Sequence, residues 1–187
     1  TYSLSGSDAS LFNIDGSTGA ITFKAAPNYE APADQNGDNV YDVIVRASEG
    51  TNTTGQATSI TVTNVNEAPV ITSVASASVV EGTTAVQTVT GTDPEGQTLH
   101  FSLSGTDAGP FTIDTNTGAL RFVSAPSYDS PSDNGGNNVY DVVVSASDGT
   151  NTTSQALAID VTRDQRAPTI TSSATATVSE NATAVMT

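Results

Sequence analysis

Apolar and polar positions alternate in short runs along this chain, and Gly, Pro, Asn and Asp interrupt them. Phe101 and Leu103 share one parity, and Phe111 and Ile113, then Leu120 and Phe122, repeat it. Tyr140, Val142, Val144 and Ala146 continue the stripe, followed by Ile159 and Val161. A period of two places such residues on one face of a strand, so they form a candidate core rather than a ligand surface. The pattern predicts strands near 70–80, 84–92, 98–104, 111–114, 119–123, 138–147 and 155–163. No window longer than one turn carries helical spacing. Pro27, Pro32, Pro94, Pro126 and Pro131 all fall between predicted strands, where a missing N–H costs nothing.

The pattern also repeats. Tyr2-Ser-Leu-Ser-Gly6 returns as Phe101-Ser-Leu-Ser-Gly105, Asn39-Val-Tyr-Asp-Val43 as Asn138-Val-Tyr-Asp-Val142, and Ala68-Pro69 as Ala167-Pro168. The offset is 99 throughout, without a gap. A period this long marks an array of whole domains. One complete unit spans 70–168. Residues 1–69 match only the later part of that unit, and 169–187 match only its opening. Seven short strands in about 100 residues predict an all-β fold of tandem Greek-key, immunoglobulin-like sandwiches.

Charge narrows the partners. The 187 residues hold 5 Lys and Arg against 20 Asp and Glu, a formal charge of −15. Nucleic acid and anionic membrane surfaces both need clustered basic residues, so neither is expected. No apolar run approaches the length of a membrane helix. With no Cys, neither a disulfide nor a thiolate metal site exists to staple a core this poor in apolar residues (36%). A hard cation suits the acidity.

Most of the acids sit at strand ends. Asp93 and Glu95 precede the third strand, and Glu81 closes the first. Glu30 and Asp34, like Asp129 and Asp133, lie between the fifth and sixth. Glu49 and Asp148 end the sixth, and Asn66 and Glu67 belong to the linker Asn64-Val-Asn-Glu-Ala-Pro69. Taken alone, such residues are either solvated loop acids or carboxylates that converge at a module end on one ion or an adjacent pair.

Five segments stand out: Glu81, Thr92-Asp-Pro-Glu-Gly96, Phe111-Thr-Ile-Asp-Thr-Asn-Thr-Gly-Ala-Leu120, Ala146-Ser-Asp-Gly149 and Val62-Thr-Asn-Val-Asn-Glu-Ala-Pro69. Together they resemble the cadherin repeat in its bacterial cadherin-like form. The phrase F-x-I-D-x-x-T-G-x-[LI] occurs twice, and the likeness covers almost the whole chain. The resemblance implies Ca2+ at the seams between repeats. At the first seam it implicates Glu30, Asn66, Glu67, Asp93, Glu95 and Asp148, and at the second Glu81 and Asp129, with Asp164 in the linker. The sequence departs from the family in its shortened linker and in the missing Asp-Arg-Glu triplet, replaced by Tyr29-Glu30 and Tyr128-Asp129. The second linker, Arg163-Asp-Gln-Arg-Ala-Pro168, sets arginines where Asn64 and Glu67 stood. A weak or empty ion site is expected there, or arginines paired with Glu81 and Asp129.

An enzyme is not expected. There is no Cys, the single His100 stands without a motif, and no phosphate-binding glycine loop occurs. The leading expectation is a calcium-rigidified, extracellular adhesion or spacer repeat of a bacterial surface protein, with neighbouring repeats or other copies as partners. A second is a filament in which residues 169–187 of one copy complete the first unit of the next. A third is a glycan-binding accessory module, for which Tyr29 and Tyr128 are the only aromatics off the inner face.

Overall fold

A computed structural model describes residues 1–165 together with 178 and 180. The second unit opens with β6 (Val70–Ile71) and β7 (Ser76–Val80), then β8 (Ala85–Thr88) and β9 (Gly91–Thr92). It continues through β10 (His100–Ser104), β11 (Phe111–Ile113), β12 (Ala119–Phe122), β13 (Val139–Ser147) and β14 (Thr152–Thr162). One sheet has the order β10-β13-β14-β7, and the facing strands pair as β11-β12-β8 and β6-β9. The side chains predicted to point inward form the core between them. Phe101, Phe111, Leu120, Phe122, Tyr140, Val142, Val144, Ala146, Ile159 and Val161 are all buried. Each large one contributes about 1.5–3 kcal/mol by leaving water.

The two opening strands differ from the expectation of single runs. The first divides because its halves belong to different sheets. Val70 and Ile71 pair antiparallel with β9, whereas Ser76–Val80 run parallel to β14. The second divides around Val89 and Thr90, whose backbone bonds go to Gly118 and to Thr72 and Ser73.

The first unit supplies β1 (Tyr2–Ser5), β2 (Phe12–Ile14), β3 (Ile21–Phe23), β4 (Val40–Glu49) and β5 (Asn52–Thr61). They pair as β1-β4-β5 and β2-β3. Phe12, Phe23 and Tyr41 stack with centroids 4.4–5.9 Å apart, as Phe111, Phe122 and Tyr140 do at 4.2–5.5 Å. Among the described residues, β3 and β5 lack the second partners that β8 and β7 give β12 and β14. The core is open on that side: Tyr2 is 39% exposed where its counterpart Phe101 is 7%. The strand-donation expectation concerns residues 169–187, which lie outside the described residues except for Val178 and Glu180.

The recurrent Asp-x-x-Thr-Gly phrase is a turn. The Asp114 carboxylate accepts the N–H groups of Asn116 (3.0 Å) and Thr117 (2.8 Å), and Gly118 follows at φ +69°. A side chain at Gly118 would stand 2.1 Å from the Val89 carbonyl oxygen, so only glycine fits.

Candidate metal site at the seam

The loop carrying Glu30 is held from the core outward. The Tyr41 hydroxyl accepts Ala33 N–H at 3.2 Å. Buried Asp8 accepts Gln35 N–H at 2.9 Å and Asp42 N–H at 2.7 Å. Buried Asp34 accepts Asp38 N–H at 2.9 Å, next to Asn39 at φ +63°. The same devices recur in the second unit: Asp107 accepts Asn134 N–H at 2.7 Å and Asp141 N–H at 2.8 Å, and Asp133 and Asn138 (φ +66°) repeat Asp34 and Asn39. Burial pushes the Asp8 carboxyl up, but the backbone donors outweigh it and the group stays below the usual range. These aspartates are therefore loop scaffolding.

That scaffolding delivers Glu30 to the seam. Glu30, Glu67 and Glu95 each place a carboxylate oxygen within 4.8 Å of the other two. No Lys or Arg among the described residues pairs with any of them. The Glu67 carboxyl is raised, first because it shares a proton with Glu95 and then by burial and the charges of Glu30 and Glu95. Glu95, accepting from Glu67, is correspondingly lowered.

Asp93 and Glu95 share one turn. Asp93 Oδ1 accepts the N–H groups of Glu95 and Gln97, both at 3.1 Å, and Gly96 follows at φ +72°. Asp93 Oδ2 and Glu95 Oε1 are buried oxygens with no hydrogen-bond partner among the described residues. A buried carboxylate oxygen left unpaired is costly, and a cation satisfies it.

Asp148 reaches the seam through Asn66. Its Oδ1 accepts Thr150 and Asn151 N–H at 2.6 Å, and its Oδ2 accepts Asn66 Nδ2 at 2.7 Å. Burial raises this carboxyl, yet the three donors hold it below the ordinary value. Asn151 Nδ2 donates to the Asn66 carbonyl at 3.0 Å, Gln97 Nε2 donates to Asn66 Oδ1, and Glu67 N–H meets Glu95 Oε2 at 3.3 Å. Gln97 and Asn151 were not among the expected site residues. Uncharged amides are too common in this sequence to mark themselves, although the Asn-x-Thr triplet at Asn151 sits beside Asp148.

The six residues implicated at the first seam thus lie in one region, three of them in mutual carboxylate contact. Glu81 and Asp129 lie at the other end of the second unit. Glu81 accepts Asp164 N–H at 3.0 Å and Tyr128 N–H at 3.1 Å, and these backbone donors, with Arg163, lower its carboxyl.

The architecture matches solved structures. Human protocadherin-24 EC1-2 superposes with a TM-score of 0.57 at 22% identity, over 89% of this chain and 82% of that one. The fold is that of the cadherin repeat. Mouse cadherin-23 EC22-24 gives 0.54 at 20% identity, over 87% of this chain and 52% of its own length. Protocadherin gamma B7 extracellular cadherin domains 1-4 give 0.54 at 19%, over 88% and 42%. No protein-family model matches the sequence, and no curated protein matches it. In this cadherin-like chain no described helix is long and apolar enough to cross a membrane.

Proposed function

We propose that the chain is a stretch of extracellular, cadherin-like spacer or adhesion repeats, of the bacterial cadherin-like type, whose first seam is stiffened by Ca2+. The observation that carries this is the pair of buried oxygens on Asp93 and Glu95 that have no partner among the described residues, set beside three mutually close glutamates that no described Lys or Arg pairs. An all-oxygen, carboxylate-rich donor set fits a hard divalent ion that takes six to eight oxygens. Glu30, Glu67, Asp93 and Glu95 would hold it, with Asn66 and Asp148 from the adjoining network. Bound there, the ion supplies positive charge that turns repulsion between the modules into a shared anchor.

The residues of the chain prepare this joint. The hydrogen bonds of Asn66 to Asp148, Asn151 and Gln97 pin the linker to the second module with no metal needed. Glu30 alone comes from the body of the first module, so the ion's effect falls on the angle between modules. Millimolar calcium outside cells would fill even a weak site.

Small-angle X-ray scattering in chelator and in millimolar CaCl2 tests the reading. Calcium is expected to narrow the distance distribution to one extended form, and a Glu95→Gln, Asp148→Asn variant is expected not to respond. Superimposable wild-type profiles in the two buffers defeat it.

A further inference from the structure

The two modules end in matching exits whose linkers differ in charge, first at the residue that follows β14. At the 99-residue spacing Tyr29-Glu30 becomes Tyr128-Asp129, while Asn64 becomes Arg163. Thr162, the last residue of β14, pairs with Val80 of β7, so Arg163 leaves the sheet beside Glu81. Its Nη2 lies 2.5 Å from Asp129 Oδ1, and its guanidinium carbon lies 4.5 Å from the centre of the Tyr128 ring. Glu81 meanwhile places one oxygen on the Asp164 amide and the other on the Tyr128 amide. Three pieces of chain, the end of β7, the Tyr128-Asp129 loop and the start of the linker, are therefore tied together.

We propose that Arg163 is a built-in cation that closes the exit of the second module and makes that exit indifferent to divalent metal. A planar guanidinium serves a carboxylate with its edge and an aromatic ring with its face at once. It also places a fixed positive charge where an incoming cation would have to approach Glu81 and Asp129. Arg163 and Asp129 are 52% and 68% exposed, so the ion pair alone is weak. The closure comes from the pair acting with the stacked ring and the two Glu81 bonds. The contrast with the first seam rests on the calcium reading there; the clamp itself does not.

Site-resolved amide hydrogen exchange on the whole 187-residue chain separates the two. In chelator, the Tyr128 and Asp164 amides are expected to be protected, with rates that millimolar CaCl2 leaves unchanged. Arg163→Asn, which installs the residue found at position 64, is expected to speed both roughly fivefold in chelator. Arg163→Lys keeps the charge but loses the planar fork, and is expected to fall between. Calcium slowing these two amides in the wild type, or Arg163→Asn leaving them unchanged, overturns the proposal. The Glu67, Gln97 and Asn151 amides give a separate readout. If they ignore calcium, the first-seam reading fails while the clamp is still judged at Tyr128 and Asp164.

Discussion

Replacing Glu95 by Gln is expected to change sign with the buffer. In chelator, Glu95 faces Glu67 and Glu30 within 4.8 Å, and Glu67 is raised above its ordinary range first by its hydrogen bond to Glu95, then by burial and the charges of Glu30 and Glu95. Removing the charge relieves the repulsion, while a Gln carbonyl still accepts the Glu67 N–H. The variant is therefore expected to melt at or above the wild type without metal. In calcium the same change deletes a ligand and one of the two orphan oxygens. At free calcium one hundred times the Kd, binding to the folded form alone adds about 2.7 kcal/mol. In a module of this size each kcal/mol moves the midpoint by about 4–8 °C, so the wild type gains about 10–20 °C and the variant loses most of it. Differential scanning calorimetry of both proteins in both buffers reads the effect. A variant that melts lower by the same margin with and without calcium would show that Glu95 acts in packing and not toward an ion.

The protonation of Glu67 gives a second test. A raised carboxyl contributes stability below its unfolded value, and that contribution is lost as pH rises through the folded one. Metal-free protein should thus lose seam stability from the acid side toward neutral pH, and calcium should lower the Glu67 midpoint; carboxyl NMR titration checks both. Glu81, held low by backbone donors and Arg163, behaves oppositely: its contribution is present above the unfolded value and lost on acidification, whether or not calcium is added. Gly118→Ala forces a side chain to within 2.1 Å of a backbone carbonyl at positive φ and should cost more than Gly19→Ala, whose added carbon meets only the Tyr2 ring at 3.2 Å; urea unfolding compares them. Phe122→Ala should cost about 3–5 kcal/mol, and the same change at half-buried Phe23 less, because a site already open leaves a smaller cavity.

The strands were legible because a sheet face imposes a period of two, and the inward parity was right wherever two sheets close on it. The split of 70–80 was not, since it depends on which sheet each half finds, a tertiary fact that leaves no mark on the alternation. The site shows the same division. Acids at strand ends could be named from the sequence, and the family likeness grouped them by seam. What no spacing revealed was that Asp93 and Glu95 each bury an oxygen without a partner among the described residues, or that Asn66 is held by Gln97 and Asn151. Those depend on neighbours 31 and 85 residues away in the chain.

The internal repeat lets the protein serve as its own control. Both modules build the same loop, with a core tyrosine hydroxyl, a buried aspartate and a left-handed asparagine behind it, and both end it in Tyr followed by an acid. Scaffold and acid recur, so the two exits can be compared at the residues that each acid faces. Glu30 meets two more glutamates, whereas Asp129 meets Arg163. At the second exit the Arg163 guanidinium meets Asp129 and both Glu81 oxygens accept backbone N–H groups, whereas Glu30 lies among glutamates that pair with no Lys or Arg among the described residues. Transferring the arginine is then the decisive exchange. Asn64→Arg should make the first seam less responsive to calcium, measured as a smaller calcium-induced rise in melting temperature than in the wild type. An undiminished rise would mean that position 64 does not face Glu30 as Arg163 faces Asp129, and the equivalence of the two exits would fall.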